Sequence, residues 1–288
     1  MTSDPTTPAT ASASPASTAV GGTSTPRHEV PTGPGWAWRD SWTEAVRHLR
    51  AVPRDPELLV FMAVQPVMFV LLFVYVFGGS IQVPGYDDYT QYLIPGIFAQ
   101  TVLFGSAFTG IGLAEDLSKG IIDRLRSLPM WQPAVLVGRT VSDLVRNLFT
   151  FTVMFIVAFL VGFRIEGSAA EAVLATLLLL AFSYAFSWIQ ALIGLSVGSA
   201  EAANSAGFIW MFPLTFVSSA FVDPSNMPGW LRWFAEVNPF TVATDATRAL
   251  YNGRPAGSDP WVALAWAVGI TVVFAVLAAR KFSHAAAR

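Results

Sequence analysis

Six stretches of this chain carry almost no charge: residues 58–77, 92–113, 145–163, 172–197, 205–222 and 261–279. Each approaches the roughly 20 residues that a helix needs to cross about 30 Å of hydrocarbon. Six buried helices of a soluble protein would need polar faces at helical spacing, and these runs are apolar nearly all round. Only 12% of the residues are charged, against roughly 25% in an ordinary soluble domain. The expected fold is an all-α integral membrane protein with six transmembrane helices.

The basic residues then sort by side. Thirteen of the seventeen fall in three segments: the N-terminal one (Arg27, Arg39, Arg47, Arg50, Arg54), the one between spans two and three (Lys119, Arg124, Arg126, Arg139, Arg146), and the C-terminal one (Arg280, Lys281, Arg288). Only Arg164, Arg232, Arg248 and Arg254 lie on the other side. The positive-inside rule places both termini in the cytoplasm of a cell (plasma) membrane protein. An even number of spans agrees with that, and the acidic loop GGSIQVPGYDDY faces outward. The first 25 residues carry no charge but Asp4 and no apolar core, so no secretory signal is expected there and the first span would direct its own insertion.

Residues 1–35 are nearly all Thr, Ser, Pro, Ala and Gly, too poor in apolar area to order themselves, and read as a disordered cytoplasmic tail. Residues 36–57 read as an interfacial amphipathic helix and linker. Trp38, Trp42, Ala45, Val46 and Leu49 share a face, and Pro53 and Pro56 redirect the chain into the bilayer. Residues 58–279 form the six-span domain and residues 280–288 a short cytoplasmic tail. Within the spans, Pro66, Pro95 and Pro213 predict bent helices whose freed carbonyls are satisfied by neighbours. Gly194 and Gly198 supply a small-residue face for close packing. The segment between spans five and six is too polar to cross and too aromatic to float free. It reads as two re-entrant half-helices separated at Asn238-Pro239.

Chemistry is sparse. There is no cysteine, and His28, His48 and His284 all lie outside the spans, so neither catalytic nor metal-binding residues are expected. No charged residue is expected mid-span, which disfavours a proton-coupled carrier. No G-x-x-x-x-G-K-[ST] loop occurs, so this chain does not itself cradle ATP phosphates. Gln65, Gln100 and Gln190 are the polar side chains nearest a translocation path, with an interhelical hydrogen bond as the plainer role for each. No nucleic-acid partner is expected.

One cytoplasmic stretch stands apart: EDLSKGIIDRLRSLPM, residues 115–130. On a helical wheel Leu117, Ile121, Leu125 and Leu128 gather on one side, opposite Asp116, Lys119, Asp123 and Arg126. Such an amphipathic helix either hugs the membrane or docks into a protein cleft. Its mixed signs favour the cleft, because a lipid-facing helix would be mostly basic.

Here the sequence resembles the permease subunits of ABC type-2 exporters, and the daunorubicin-resistance permeases among them. The resemblance rests on Glu115-Asp116, Gly120 and Asp123-Arg124-Leu125, followed by Ser127-Leu128-Pro129. It rests also on Asn238-Pro239-Phe240-Thr241 with Arg248-Ala249-Leu250, and on Ser218-Ser219-Ala220-Phe221 with Met227-Pro228-Gly229-Trp230-Leu231. Gly120-Ile121-Ile122-Asp123 stands where the family often has Gly-Thr-Leu-Glu.

The resemblance implies a half-transporter that pairs with a second permease, identical or not, and with separate ABC ATPase subunits holding ATP and magnesium. It makes residues Glu115, Asp116, Lys119, Gly120, Asp123, Arg124 and Leu125 a coupling helix gripped by the ATPase. It makes Asn238, Pro239 and Arg248 candidate gate residues. The aromatic and aliphatic lining favours an amphipathic or lipophilic cargo, an antibiotic or a lipid. A permease for a polysaccharide or glycolipid, or a membrane scaffold that transports nothing, are the alternatives.

Overall fold

The computed structural model describes residues 34–51, 56–78, 83, 85–86, 88–126 and 133–284. Of the tail expected over residues 1–35, residues 1–33 lie outside that set and residues 34–35 instead begin a helix; residues 52–55 of the linker and the last four residues also lie outside it. Among the described residues the fold is helical throughout. Helices α1 (Pro34–Ala51) and α2 (Pro56–Leu71) come first, and α2 continues as a π-helical segment, Leu72–Phe77. Then follow α3 (Tyr89–Gly105), α4 (Ala107–Ser118), α5 (Ile121–Arg126), α6 (Ala134–Leu160), α7 (Ala169–Gly194) and α8 (Ala200–Phe216). The last three are α9 (Gly229–Val237), α10 (Pro239–Tyr251) and α11 (Asp259–His284), the last running past the boundary expected at residue 279.

Four helical units are long and apolar enough to cross a bilayer: Tyr89–Ser118, Ala134–Leu160, Ala169–Gly194 and Asp259–Ser283. The shortest has 25 residues, or roughly 37 Å at 1.5 Å per residue. The apolar part of the first run, Ala63–Phe77, is shorter, and α8 has 17 residues with Pro213 inside it. Helix starts follow their capping residues. The Asp88 carboxylate accepts from Thr90 N at 2.8 Å, and Ser168 and Glu171 form a reciprocal capping box at the head of α7.

The α3–α4 unit is the axis of the molecule. Of its apolar window 89% is buried by neighbours, against 17% for α11. Helix α7 backs it and carries α11 on its outer side. Gly110 of α4 and Gly194 of α7 let the two backbones touch, since a methyl on Gly194 would overlap the Gly110 carbonyl. The small-residue face ends there: Gly198 has open space around it and lies beyond the last turn of α7. Phe98 gathers Phe151, Phe155, Phe163 and Tyr251 around it at centroid distances of 5.0, 5.2, 5.9 and 5.8 Å.

Helix α1 lies along α6, and of the face read in the sequence Ala45 is buried while Trp42 is not. Ser41, Glu44 and Ala45 are buried, and Gly138 of α6 gives them room: a methyl there would run into Glu44 Cβ. Trp42 stays 54% exposed on the outer side. Ser41, Glu44 and Ala45 meet the protein and the large aromatic meets the surroundings, as expected where a Trp can rest at a membrane interface.

Candidate coupling and translocation site

The charged stretch folds into two helices. Helix α4 ends at Ser118, where Lys119 N donates to Glu115 O and Gly120 N to Leu117 O, both at 3.0 Å. Gly120 takes φ +66°, a conformation that costs a residue with a Cβ roughly 1–2 kcal/mol. Helix α5 then begins at Ile121. A wheel drawn continuously from residue 115 to 128 therefore fails after residue 119. Ile122 becomes the fully buried anchor, packed among Leu113, Val135, Leu136 and Trp188, with Leu117 and Leu125 half-buried beside it.

Of the predicted coupling residues, Glu115, Lys119 and Arg124 are exposed. Glu115 and Lys119 form an ion pair at 2.5 Å, and that bond holds the Lys119 ammonium above its usual pKa. Asp116 turns inward. The Asp123 side chain lies outside the described set.

Asp116 opens a network that the sequence did not disclose. Its Oδ2 meets Arg139 Nη1 of α6 at 3.4 Å. The same guanidinium donates to Phe108 O at 3.2 Å and, through Nε, to Asp143 Oδ2 at 3.2 Å. Asp143, 1% exposed, also accepts from Thr109 Oγ1 at 2.7 Å and meets Arg146 Nη1 at 3.1 Å. One turn on, Asn147 Nδ2 donates to Ser183 Oγ of α7 at 2.6 Å. Two glycines make space: a methyl on Gly112 would overlap the Arg139 guanidinium, and one on Gly105 would overlap the Asn147 amide.

The expectation that apolar helices hold no charge is thereby corrected for α6. That helix begins at Ala134, eleven residues before the apolar run, so its first half sets the part-buried Arg139 and the buried Asp143 against α4, with Arg146 beside Asp143. The usable signal was the i, i+4 series 139, 143, 147 facing glycines at 105 and 112.

The Asn-Pro and Arg-Ala-Leu signatures occupy a second polar centre. Asn238 ends α9 and caps α10: its Oδ1 accepts from Phe240 N at 2.9 Å, and Pro239 fills the first helical position. Its Nδ2 donates to Leu214 O and Val217 O, at 2.7 and 2.8 Å, closing the end of α8. Arg248, 4% exposed, donates to Tyr92 O at 2.9 Å, Ser219 O at 2.6 Å and Asp245 Oδ1 at 2.5 Å. The guanidinium also lies 3.8 Å from the centre of the Tyr92 ring.

Helix α10 is buried among α3, α7 and α11, as a protected half-helix requires. Helix α9 is not: only Ala235 is buried, while Trp230 and Trp233 are 75% and 66% exposed. Its aromatic face has no covering segment among the described residues, a difference from the enclosed pair read in the sequence.

The three glutamines separate. Gln65 and Gln100 line one cavity of about 310 Å³ bounded by α2, α3, α4, α6 and α8. Gln190 lies elsewhere, fully buried, with its Nε2 2.9 Å from Met211 Sδ and its side chain against Gly207. That is the plain packing role. Among the described residues no group of three or more His, Cys, Asp and Glu side chains could hold a metal ion.

Sequence comparison gives this architecture its context. Residues 41–252 match the pattern of the family described as ABC-2 type transporter. The chain is 34% identical over 242 residues to the daunorubicin resistance ABC transporter permease protein DrrB1 of Streptomyces coeruleorubidus, covering 84% of this chain and 85% of that one. It is 25% identical over 223 residues to the probable doxorubicin resistance ABC transporter permease protein DrrC of Mycobacterium tuberculosis, covering 77% and 80%. Over 165 residues it is 23% identical to the probable multidrug ABC transporter permease YbhR of Escherichia coli, covering 57% of this chain and 44% of that one.

Proposed function

Because the chain belongs to the ABC-2 type transporter family, we propose that it is the membrane-embedded permease of an ATP-driven exporter of amphipathic or lipophilic drugs. The names of its relatives support the drug class. ATP and magnesium belong to a separate ATPase subunit. The α2–π segment and α8 complete six spans around the four long helices, with both termini cytoplasmic in the plasma membrane. Helix α2 enters the spanning domain, α1 lies along its cytoplasmic face in contact with lipid, and α11 carries the chain to His284 on that same side. Two permeases, identical or sister chains, meet two ATPases.

The observation that carries this reading is the α4–α5 hairpin. Its outer side offers Glu115, Lys119 and Arg124 to a partner, and its inner side ties Asp116 through Arg139 to Asp143 in the bundle. A push on the hairpin is therefore delivered to buried side chains of α6. Rigid elements joined by such contacts can rock between inward- and outward-open arrangements. Asn238, Pro239 and Arg248 hold the opposite gate by fixing the ends of α8 and α10.

The test is the double reversal Glu115→Lys with Arg124→Glu, in vesicles holding permease and ATPase. Both side chains are exposed, so membrane insertion is expected to persist while ATP-driven drug efflux falls at least tenfold. Undiminished efflux, or efflux that continues without any ATPase, would remove the coupling role.

A further inference from the structure

Helix α9 has three distinct sides. At about 100° per residue Trp233, Val237, Trp230 and Phe234 fall within one arc of about 100°. They are 66%, 48%, 75% and 40% exposed. Ala235, fully buried, and the half-buried Leu231 take the side toward the protein. Arg232 and Glu236 take the third, joined at 2.7 Å with about half of each side chain exposed. An ion pair closed within one helix offers no net charge to a partner, so the aromatic stripe is what this helix has left to bury.

Hydrogen bonds fix the level at which the stripe sits. Tyr89 opens the crossing unit Tyr89–Ser118, and its hydroxyl donates to Phe221 O at 3.0 Å. The Tyr92 hydroxyl donates to Ser219 O at 2.7 Å. The chain leaving α8 is thus held at the head of a span. It returns to the same place before α10, because Asn238 Nδ2 donates to Leu214 O and Val217 O. Helix α9 therefore lies at a bilayer boundary, where tryptophan is enriched. The orientation proposed above makes that boundary the outer one.

Size decides what covers the stripe. On the outer side the residues outside the described set are 79–82, 84 and 87, too short a length to cover a helix of 9 residues. The longer such segments, 1–33, 52–55, 127–132 and 285–288, fall on the cytoplasmic side in that orientation. A second copy fits poorly as well. At about 150–250 Å² per aromatic side chain, the exposed fractions leave the stripe no more than roughly 500 Å², against about 800 Å² per partner in a stable interface. Lipid has no such threshold, and an indole at headgroup depth buries its ring while its N–H stays hydrogen-bonded.

We propose that α9 is a lipid-docking helix: its aromatic stripe lies among outer-leaflet phospholipids, and its Arg232–Glu236 side meets headgroups and water. The proposal takes from the exporter reading only which leaflet is the outer one. Asn238 ties α9 to the ends of α8 and α10, so this contact anchors the candidate gate to the bilayer.

The chain has no cysteine, so nitroxide labels introduced one at a time through Trp233→Cys, Val237→Cys and Arg232→Cys report on the full chain in phosphatidylcholine nanodiscs. Collisions with oxygen, which concentrates in lipid, are compared with collisions with a water-soluble nickel chelate. The oxygen-to-nickel ratio at residues 233 and 237 is expected to exceed that at 232 by about tenfold, because a polar chelate is excluded from hydrocarbon. Equal ratios, which put the stripe in water, overturn the proposal. So does protection of residue 233 from both reagents, with spin–spin broadening if a second copy covers it and without if this chain does. Hydrogen exchange gives an unlabelled check. Trp233→Glu is expected to speed exchange of the α9 amides about tenfold, with α10 unchanged and Trp233→Leu without effect; equal exchange in all three chains overturns the docking. Sidedness is read separately, by a membrane-impermeant maleimide on Arg232→Cys in intact cells. Reaction only after lysis would sink the proposed orientation and leave lipid docking standing.

Discussion

Two arginines, Arg248 buried and Arg139 nearly so, tie helices together in this molecule, and they are held in different ways. Arg248 in α10 donates to the backbone carbonyls of Tyr92 and Ser219, with Asp245 as its single acidic contact. Arg139 in α6 sits between two carboxylates, Asp116 on the coupling hairpin and Asp143 inside the bundle, and reaches one carbonyl at Phe108. Backbone acceptors cannot rotate away without unwinding their helix or loop, so Arg248 is a fixed staple. Carboxylates on flexible side chains can exchange, and Asp143 has Arg146 and Thr109 in reserve. Arg139 is thus the contact that can slacken and tighten as the hairpin moves.

Three substitutions test that contrast. Arg248→Met removes three charge-assisted bonds, to Tyr92 O, Ser219 O and Asp245, at about 1.5–3 kcal/mol each. Asp245, its side chain 42% exposed, and Ser219 O, which keeps the Tyr92 hydroxyl, still have partners. The unfolding midpoint in detergent should fall the furthest of the three, with loss of the folded population at growth temperature. Arg139→Gln keeps one amide donor toward Asp143 and leaves Arg146 in place. Its stability cost should be nearer 1–3 kcal/mol, while efflux per ATP hydrolysed, measured in vesicles with the ATPase, should drop at least fivefold. Equal destabilisation by the two substitutions, or unaltered coupling in Arg139→Gln, would break the distinction between staple and transmitter.

The mildest is Gly120→Ala. Nothing lies within 4 Å of the Cβ that it adds, so its effect is confined to the backbone at φ +66°. The cost should be about 1 kcal/mol, visible as faster amide exchange in α5 with little shift in the global midpoint. Gly120→Asn should cost less, because asparagine tolerates this conformation better. A large global loss would mean that the turn, and not Ile122, anchors the hairpin.

The same contrast explains what was legible beforehand. The Arg248 centre was legible in part: Asn238-Pro239 showed a helix break through local rules of caps and prolines, whereas Arg248-Ala249-Leu250 stood out only by resemblance and its burial was not visible. The Arg139 centre was not legible. Its members come from α4 and α6, the latter beginning well before its apolar run, and Asp143 carries no local mark of burial. The coupling stretch was half legible: its charges and leucines were visible, but one glycine in a left-handed conformation split the helix and moved the anchor to Ile122.

By itself the sequence determined that the chain is helical, where its apolar runs lie and which family it resembles, because apolar length and short motifs are local properties of the chain. Tertiary structure alone decided that Gln65 and Gln100 share a cavity while Gln190 does not, and that Gly194 packs while Gly198 stands free. It decided also that a carboxylate at residue 143 lies buried beneath α4. Each of these depends on which helix faces come together, and an apolar helix looks much the same on every side until its neighbours choose one.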